Sequence, residues 1–179
     1  MIAALDKVDS LYLNDVSRHR IKRIQENIQR TGISPSAILQ SDGEKLPFDK
    51  HHFDTVLIDA PCSSTGTIQK NPDIKWTASE KTLLKHLELQ RQLLDEGARI
   101  LKPGGTLIYS TCSLEEEENQ NQVESFLARH TGFFMKKRPS DSAFFELDDW
   151  TNEDHSFFQI LTGPKSGGFF GAAISCDHA

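Results

Sequence analysis

Two cysteines occupy matching settings fifty residues apart in the chain. Cys62 stands in the segment D-A-P-C-S-S-T-G (59–66), and Cys112 stands in Y-S-T-C-S (109–113). Each cysteine follows an apolar run that is typical of a buried strand and precedes a loop. Because the thiolate of cysteine is a strong nucleophile, two thiols placed in this way indicate covalent chemistry.

The composition predicts one globular domain over residues 1–179, with 37% hydrophobic residues as material for its core. The formal net charge is −6, so the chain as a whole has no field that attracts a polyanion. Any contact with nucleic acid must therefore come from local basic patches, for which solvated helix faces or strand ends are the alternative interpretation. The candidate patches are Arg18, Arg20, Lys22 and Arg23; Lys70 with Lys75; and Lys136, Lys137 and Arg138.

Three cysteines do not make a disulfide framework, and neither a signal peptide nor a long apolar segment is found in the sequence. We therefore expect a cytoplasmic protein with reduced thiols and no membrane partner. Cys176 lies outside any motif. The acidic run Glu115 to Glu118 is interpreted as the start of a helix rather than a metal site, and no metal is expected.

Strand-like and helix-like segments alternate, which predicts an α/β fold with a mainly parallel sheet and helices on both faces. Strands are expected at 11–13, 37–40, 55–58 and 106–110, with further strands at the three Phe-Phe pairs (133–134, 157–158 and 169–170). A helix is expected at about 17–30, with Gly32 ending it.

A second, long helix is predicted to open at a capping box formed by Thr77 and Glu80 and to stop at Pro103-Gly104-Gly105. Its inward residues should be Leu83, Leu84, Leu87, Leu94, Ala98 and Leu101. After Cys112, Ser113 and Glu116 repeat the capping-box spacing and predict a third helix there. The positive end of that helix is one available source of potential that would lower the pKa of Cys112.

Polar residues follow the predicted strands at their carboxyl ends, where open α/β sheets bind ligands. They are Asp15, Asp42, Asp59 with Cys62, and Cys112. Asp15 fits the acid that commonly accepts hydrogen bonds from ribose hydroxyls. Asp42 could accept from an adenine amino group, or it could be the residue of an Asx-turn.

Two long blocks carry a resemblance to a known family. D-A-P-C-S-S-T-G-T is followed by N-P-D-I-K-W (71–76), and then by L-K-P-G-G-T-L-I-Y-S-T-C-S-L-E-E-E-E-N (101–119). Together they resemble the RsmB/Sun-type RNA cytosine-C5 methyltransferases, which use S-adenosylmethionine, and the resemblance extends over residues 10–175. It implies a Rossmann-like class I methyltransferase sheet and an RNA substrate, most simply small-subunit ribosomal RNA.

The resemblance also implies roles for individual residues. Cys112 is the nucleophile that adds to carbon 6 of cytosine, and Cys62 is the second catalytic thiol, which assists release. Asp59 lies between the cofactor and the target base and could serve either. Asp15 and Asp42 carry over as the ribose and adenine contacts. Lys75 and Trp76, with Asn71, belong to a segment beside the base pocket, where a role in RNA contact and a packed Trp76 remain alternatives.

The chain departs from the family pattern where the cofactor should be held. The fourteen residues before Asp15 contain no glycine, so the glycine-rich loop of the family, its strand and the amino-terminal RNA-binding domain are expected to be missing. We therefore expect a partial catalytic domain that binds S-adenosylmethionine weakly by itself. The missing strand is central in this fold; direct pairing of the strands ending at Asp15 and Asp59, or a second chain through dimerisation or strand exchange, would fill its place.

Two further departures affect the motifs: the paired arginines of the family appear as Gln69-Lys70, and its D-G-F-F reads Gly167-Gly168-Phe169-Phe170. A degenerate, non-catalytic domain that binds RNA or a protein partner is therefore the alternative function. A thiol-disulfide enzyme or cysteine hydrolase fits poorly, because neither cysteine has C-x-x-C spacing or a histidine in its block.

Overall fold

The computed structural model describes residues 8–136, 157–162 and 167–177, in which the chain forms two compact units, Met1–Pro47 and Phe48–Ala179. The expectation of one domain over 1–179 stays a prediction. Lys137 and Arg138 of the third basic patch lie outside the described residues. None of the described helices is both long and apolar enough to cross a membrane.

The first unit is a strand-helix-strand crossover. Strand β1 (Tyr12–Asn14) pairs in parallel with β2 (Ala37–Leu39), and helix α1 (Arg18–Thr31) connects them. The side chain of Ser17 accepts from the backbone N–H of Arg20 at the start of α1. Gly32 ends the helix at φ 70°, a left-handed conformation that glycine adopts at little cost. The sequence predicted these elements correctly.

The second unit is a five-stranded mixed sheet with helices. Its strands are β3 (Phe53–Asp59), β4 (Leu101–Thr111), β5 (Phe133–Met135), β6 (Phe157–Ile160) and β7 (Phe169–Cys176), and its helices are α2 (Ile74–Thr77), α3 (Glu80–Ile100) and α4 (Gln120–Arg129). The strand order is β3-β4-β7-β5, with β6 also pairing to β7. β3 and β4 are parallel, whereas β7 runs antiparallel to its partners. The expected α/β fold is therefore confirmed, but the expectation of a mainly parallel sheet is wrong for this unit: one of its described strand pairings is parallel and three are antiparallel, because β7 runs against all of its partners.

The described core lies in the second unit, between the sheet and helices α3 and α4. Leu94, Leu107, Tyr109, Phe126 and Phe170 are each fully buried. Gly97 of α3 brings that helix close to the sheet, because a Cβ there would lie 2.9 Å from Leu107 Cδ1 and 3.0 Å from Ile58 Cδ1. This packing fixes the two strands after which the cysteines lie.

The long helix begins and ends at other residues than the sequence indicated. Ser79, not Thr77, is its N-cap, since Ser79 Oγ accepts from the N–H of Thr82 while Thr77 ends α2. The helix ends at Ile100, and Pro103-Gly104-Gly105 lies within β4. Leu84 was expected to face inward but is 59% exposed. The predicted pattern was correct for Leu94 and Ala98, which are buried.

The expected direct pairing between the strands that end at Asp15 and Asp59 is wrong. β1 pairs with β2 in one sheet, and β3 pairs with β4 in another. Within the described parts of the chain, β3 is an edge strand with a hydrogen-bonding side that no strand pairs. An unpaired edge of this kind is a template for another strand.

Candidate active site

The two cysteines lie together at the carboxyl ends of β3 and β4. These strands are parallel neighbours, so the loops that follow them emerge at the same edge of the sheet. Cys62 Sγ lies 3.5 Å from Cys112 Sγ, and both thiols are free and half-buried. The distance is that of a hydrogen bond involving sulfur and far longer than the roughly 2.05 Å of a disulfide. The fold thus brings together two thiols that are fifty residues apart in sequence.

A close backbone approach holds the two cysteine loops in this position. The N–H of Gly66 donates to the carbonyl oxygen of Cys112 (3.0 Å), and the N–H of Gly168 donates to that of Gly66 (2.7 Å). A Cβ at Gly66 would lie 2.6 Å from Gly168 O and 2.7 Å from Cys112 O. Such distances leave no space for a side chain, which explains the glycine of the D-A-P-C-S-S-T-G block in physical terms.

A buried carboxylate ties the same loops to helix α3. Glu118 is fully buried, and its carboxylate accepts hydrogen bonds from the backbone N–H and hydroxyl of Ser63 and from the side-chain amide of Gln90. The amide of Gln90 also donates to the carbonyl oxygen of Pro61. Because a buried carboxylate needs such donors, this network fixes the loop that presents Cys62.

Ser64 brings a hydroxyl group against the sulfur of Cys112. Its Oγ lies 3.3 Å from Cys112 Sγ, within hydrogen-bonding reach of sulfur. Its backbone is left-handed at φ 59°, an uncommon conformation for a residue other than glycine. When Cys112 loses its proton, the hydroxyl of Ser64 can donate to the resulting thiolate.

The two thiols have different acidities. The hydrogen bond between them lowers the pKa of Cys112 and raises the pKa of Cys62, because one shared proton stabilises a thiolate on its neighbour. Burial opposes the effect on Cys112, and the Ser64 hydroxyl adds to it. Cys112 is therefore the thiol that ionises first, and Cys62 is the thiol that keeps its proton.

The helix start after Cys112 is not the source of this effect. Residues Glu116–Glu118 form a single 3₁₀ turn, and α4 begins only at Gln120. Ser113 Oγ accepts from the N–H of Glu115 rather than forming the expected capping box with Glu116. The hydrogen bonds with the side chains of Cys62 and Ser64, followed by a backbone hydrogen bond, lower the pKa of Cys112.

Asp59 ends β3 next to the cysteine loops and is exposed. The hydroxyl of Ser110 lies 3.5 Å from its Oδ1, at the limit of a hydrogen bond. The negative charge of Asp59 raises the pKa of Cys112, although the thiol and hydroxyl contacts outweigh it. A bound positive charge at Asp59 would therefore make Cys112 still more acidic.

The other two predicted site residues belong to the first unit. Asp15 follows β1, and its carboxylate accepts from Arg20 Nε (2.7 Å and 2.9 Å) and from the N–H of Ser17 (2.7 Å). Partial burial acts to raise the pKa of Asp15, but these hydrogen bonds lower it on balance. Asp42 Oδ1 accepts from the N–H of Glu44 at 3.0 Å, so the residue forms the Asx-turn that was one of its two interpretations.

A cavity of about 370 Å³ lies beside Cys62, between its loop, α2 and the first turns of α3. More of its lining surface is apolar than polar, and the polar part consists of hydroxyl, amide and imidazole groups. The lining residues are Cys62, Ser63, Ser64, Thr67, Asn71, Ile74, Thr77, Ala78, Ser79, Thr82, Leu83 and His86. His86 Nδ1 lies 3.4 Å from Glu118 Oε1.

The sequence did not reveal four residues that organise this site: Ser64, His86, Gln90 and Glu118. Glu118 was interpreted only as part of an acidic helix start. Its neighbour Asn119 is also fully buried, and its amide oxygen accepts from Thr111 Oγ1. The available signal was the pair Glu118-Asn119, a charged residue next to an amide residue within a block that resembles the family strongly. Periodicity could not identify it, because the segment is one irregular turn.

The mixed sheet, its helices and the polar groups at the strand ends define a class I methyltransferase fold. NSun6 from Pyrococcus horikoshii, solved with SFG, matches with a TM-score of 0.77 and 26% identity, over 95% of this chain and 42% of that one. A methyltransferase homolog protein from Pyrococcus horikoshii matches with a TM-score of 0.70 and 26% identity, over 93% and 53%.

The chain belongs to the family described as 16S rRNA methyltransferase RsmB/F, whose sequence signature matches residues 1–175. Ribosomal RNA small subunit methyltransferase B of Salmonella arizonae is 38% identical over 164 residues, which cover 89% of this chain and 35% of the relative. The protein of that description from Shewanella oneidensis is 41% identical over 117 residues, which cover 64% and 27%. The chain thus spans about a third of the length of these relatives.

Proposed function

We propose that the chain is the catalytic part of an RNA cytosine-C5 methyltransferase that uses S-adenosylmethionine and acts on small-subunit ribosomal RNA. The observation that carries this proposal is the pair of free thiols, 3.5 Å apart, at the carboxyl ends of two parallel strands. Family membership supports the RNA substrate, since the matching relatives are described as ribosomal RNA methyltransferases.

Cys112 is the nucleophile in this proposal. Carbon 5 of cytosine is a poor nucleophile because the ring is aromatic and electron-poor. The Cys112 thiolate adds to carbon 6, a sulfur–carbon bond forms, and the electrons of the 5,6 double bond make carbon 5 enamine-like and able to accept a methyl group. The lowered pKa of Cys112 supports this role, because only the thiolate attacks.

Cys62 acts in the release of the methylated base. The proton on carbon 5 must pass to a base such as water, the electron pair of that C–H bond must restore the 5,6 double bond, and the bond to Cys112 sulfur must break so that the sulfur departs as a thiolate. Cys62 keeps its proton while Cys112 is a thiolate and lies within a hydrogen bond of the departing sulfur. It can therefore protonate or stabilise that sulfur as it leaves, which assists β-elimination.

Asp15, Asp42 and Asp59 are the residues that would hold S-adenosylmethionine. Carboxylates that follow parallel strands suit the hydroxyl and amino groups of a nucleoside, so each of the three residues has the chemistry to contact that part of the molecule. When bound, S-adenosylmethionine supplies a methyl group activated by its positively charged sulfur. Asp59 could bind either the cofactor or the cytosine edge.

We expect this chain alone to bind S-adenosylmethionine weakly, because Asp15 and Asp42 belong to a unit that has no fully buried side chain among its described residues. Isothermal titration calorimetry with S-adenosylmethionine tests this expectation. Tight binding with one site per chain would overturn it.

The side of β3 that no described strand pairs is the place at which an added strand would extend the sheet. A second copy of the chain could supply it by dimerisation or strand exchange, as sheet edges commonly do. Light scattering at increasing protein concentration measures this directly. A strictly monomeric chain at all concentrations would speak against a second copy.

Covalent trapping is the decisive experiment for the proposed chemistry. RNA with fluorine at carbon 5 of cytosine has no proton to lose after methyl transfer, so the bond to Cys112 cannot break. With excess S-adenosylmethionine, a protein–RNA adduct should form in the unsubstituted chain and in Cys62→Ala, and Cys112→Ala should form none. An adduct that persists in Cys112→Ala would refute the assignment of the nucleophile.

The alternative function is a non-catalytic domain that binds RNA or a protein through the same surface. The departures at Gln69-Lys70 and Gly167-Gly168 favour it. If no adduct forms even with excess S-adenosylmethionine, while the chain still binds RNA, this alternative is the correct one.

A further inference from the structure

A solvent-exposed segment borders the cavity beside Cys62. The segment comprises residues 69–81, includes α2, and is named the α2 rim. Ile74 is its only partly buried residue, and all of its other residues are exposed. Ile74 and Thr77 line the cavity, whereas Lys75 and Trp76 are not among its lining residues. The rim therefore has one side toward the cavity and another toward solvent.

Trp76 is the most exposed large hydrophobic residue among those described, with 87% of its surface accessible. Tryptophan usually has most of its large apolar surface buried, so an indole in water on a segment that borders the cavity beside Cys62 requires an explanation. The sequence allowed either a packed Trp76 or one that contacts RNA. Its exposure eliminates the packed alternative within the described structure.

The surroundings of Trp76 are locally basic in an acidic chain. Residues 69–86 contain four lysines (70, 75, 81 and 85) and two carboxylates (Asp73 and Glu80), a net charge of +2, whereas the whole chain has −6. All six of these side chains belong to exposed residues. A basic surface that carries an exposed aromatic ring matches single-stranded nucleic acid, which offers phosphates and stackable bases.

The adjoining cavity is large enough for a nucleotide and has the chemistry for one. Its volume of about 370 Å³ exceeds what a single base occupies, and the residues that line it contribute hydroxyls, the Asn71 amide and the His86 imidazole. No carboxylate and no lysine is among the described residues that line it. The phosphates of an RNA strand would thus meet lysines on the outer side. On the inner side, the buried carboxylate of Glu118 lies behind Ser63 and Gln90, which donate hydrogen bonds to it.

We propose that the α2 rim binds the RNA strand next to the target cytosine, with Trp76 stacked on the base of a neighbouring nucleotide and Lys75 against a phosphate. This inference rests on the proposed function, because it takes the target base to lie at the two cysteines. It assigns to this chain an RNA contact of its own.

Fluorescence titration tests the stacking contact directly. The chain has two tryptophans, so Trp150→Phe leaves Trp76 as the single reporter. Addition of a short single-stranded RNA with a central cytosine should quench Trp76 emission, and iodide should reach the indole less readily in the complex. Anisotropy of a labelled copy of the RNA then gives the Kd of each variant at fixed salt.

Trp76→Ala should weaken RNA binding by roughly tenfold, as expected for the loss of one stacked base, and Trp76→Phe should retain part of the affinity. Lys75→Ala should reduce the salt dependence, with the slope of log Kd against log salt falling by about 0.7. Phe134→Ala is the matched control, because Phe134 is an aromatic residue, 48% exposed, on β5 at the opposite edge of the sheet from β3. Its Kd should be unchanged.

Equal RNA affinity in Trp76→Ala and the unsubstituted chain, or Trp76 emission that RNA does not change, would overturn the proposal and leave a protein partner as the occupant of the rim. The trapping experiment separates this result from failure of the proposed function. Adduct formation at saturating RNA depends on Cys112 and not on Trp76. If the adduct forms but RNA does not change the emission of Trp76, only the proposed contact between the rim and RNA is refuted.

Discussion

The two units of the chain differ in how much of their structure they bury. Among its described residues, the first unit (Met1–Pro47) has no fully buried side chain, and every residue of α1 is at least partly exposed. The second unit (Phe48–Ala179) contains the whole described core, including Leu94, Tyr109 and Phe126. The thiols thus belong to the unit that contains the described core, whereas Asp15 and Asp42 belong to the unit with fewer buried residues.

This difference teaches which part of the proposed chemistry the chain can organise by itself. The groups proposed to handle the base are held by a close-packed sheet, a buried carboxylate and a glycine-to-glycine contact. Of the carboxylates proposed to bind the cofactor, Asp15 and Asp42 follow the strands of a short two-stranded sheet, and Asp15 is held by a surface ion pair with Arg20. Local opening should therefore be frequent in the first unit and rare in the second.

The sharpest test of the comparison is a matched pair of core truncations. Phe126 is fully buried and packs against His130 and Phe133, so Phe126→Ala should cost about 3–5 kcal/mol of stability. Ile24 lies on the half-buried side of α1, so Ile24→Ala should lower the free energy of unfolding by roughly 1 kcal/mol or less. Urea unfolding measures both values. Similar losses at the two positions would break the distinction between the units.

The buried carboxylate provides the next largest effect. Glu118→Gln replaces an acceptor oxygen with an amide NH₂ that faces the donors of Ser63 and Gln90, so we expect a loss of about 2–3 kcal/mol. Reaction of Cys62 with a thiol reagent should also become faster as its loop loosens. Glu117→Gln is the control one residue away, since Glu117 is exposed and should change stability by no more than about 0.5 kcal/mol. Equal effects at both positions would exclude the carboxylate network as a support of the site.

The thiol pair predicts a pH dependence. Because the pKa of Cys112 is lowered, its alkylation by iodoacetamide should reach half its maximal rate below pH ~8.5, the value for a free thiol. Cys62→Ala removes the largest cause of the lowering and should move this midpoint upward, and Ser64→Ala should move it upward by less. Mass spectrometry of the labelled peptide follows each site. If neither substitution moves the midpoint, Cys62 and Ser64 are not the cause of the lowered pKa of Cys112.

The smallest effect is expected in the first unit. Arg20→Ala breaks the ion pair with Asp15, but Arg20 is largely exposed, so the loss should be no more than about 1 kcal/mol. Because the pKa of Asp15 is lowered in the folded chain, the stabilisation it provides is present above the unfolded pKa of about 4 and is lost as the pH falls. Unfolding at pH 7 and pH 3 measures this contribution. If Arg20→Ala loses more stability than Glu118→Gln, the first unit is not the less tightly packed of the two.

Short-range patterns determined most of the elements in advance. Alternation of apolar runs predicted β1, β2, β3 and β4, and the Phe-Phe pairs predicted the last three strands. Within these elements, the details that were predicted wrongly were the two ends of α3. Thr77 and Ser79 are both good caps, and the choice between them depends on which chain direction lets α3 pack on the sheet. Pro103 and Gly105 were interpreted as a helix stop, whereas the helix had already ended where Leu101 enters β4 and becomes buried.

The candidate site, too, was predicted only in part from the sequence. The sequence by itself determined which residues carry the chemistry, because the blocks around Cys62 and Cys112 and the acids after each strand depend on residue type and order alone. Only the tertiary structure decided that the two sulfurs lie within a hydrogen bond, that Ser64 and Glu118 support them, and that Trp76 is exposed. The physical reason is distance along the chain: Ser63 and Glu118 are separated by 55 residues, and only the parallel pairing of β3 and β4 brings such residues together.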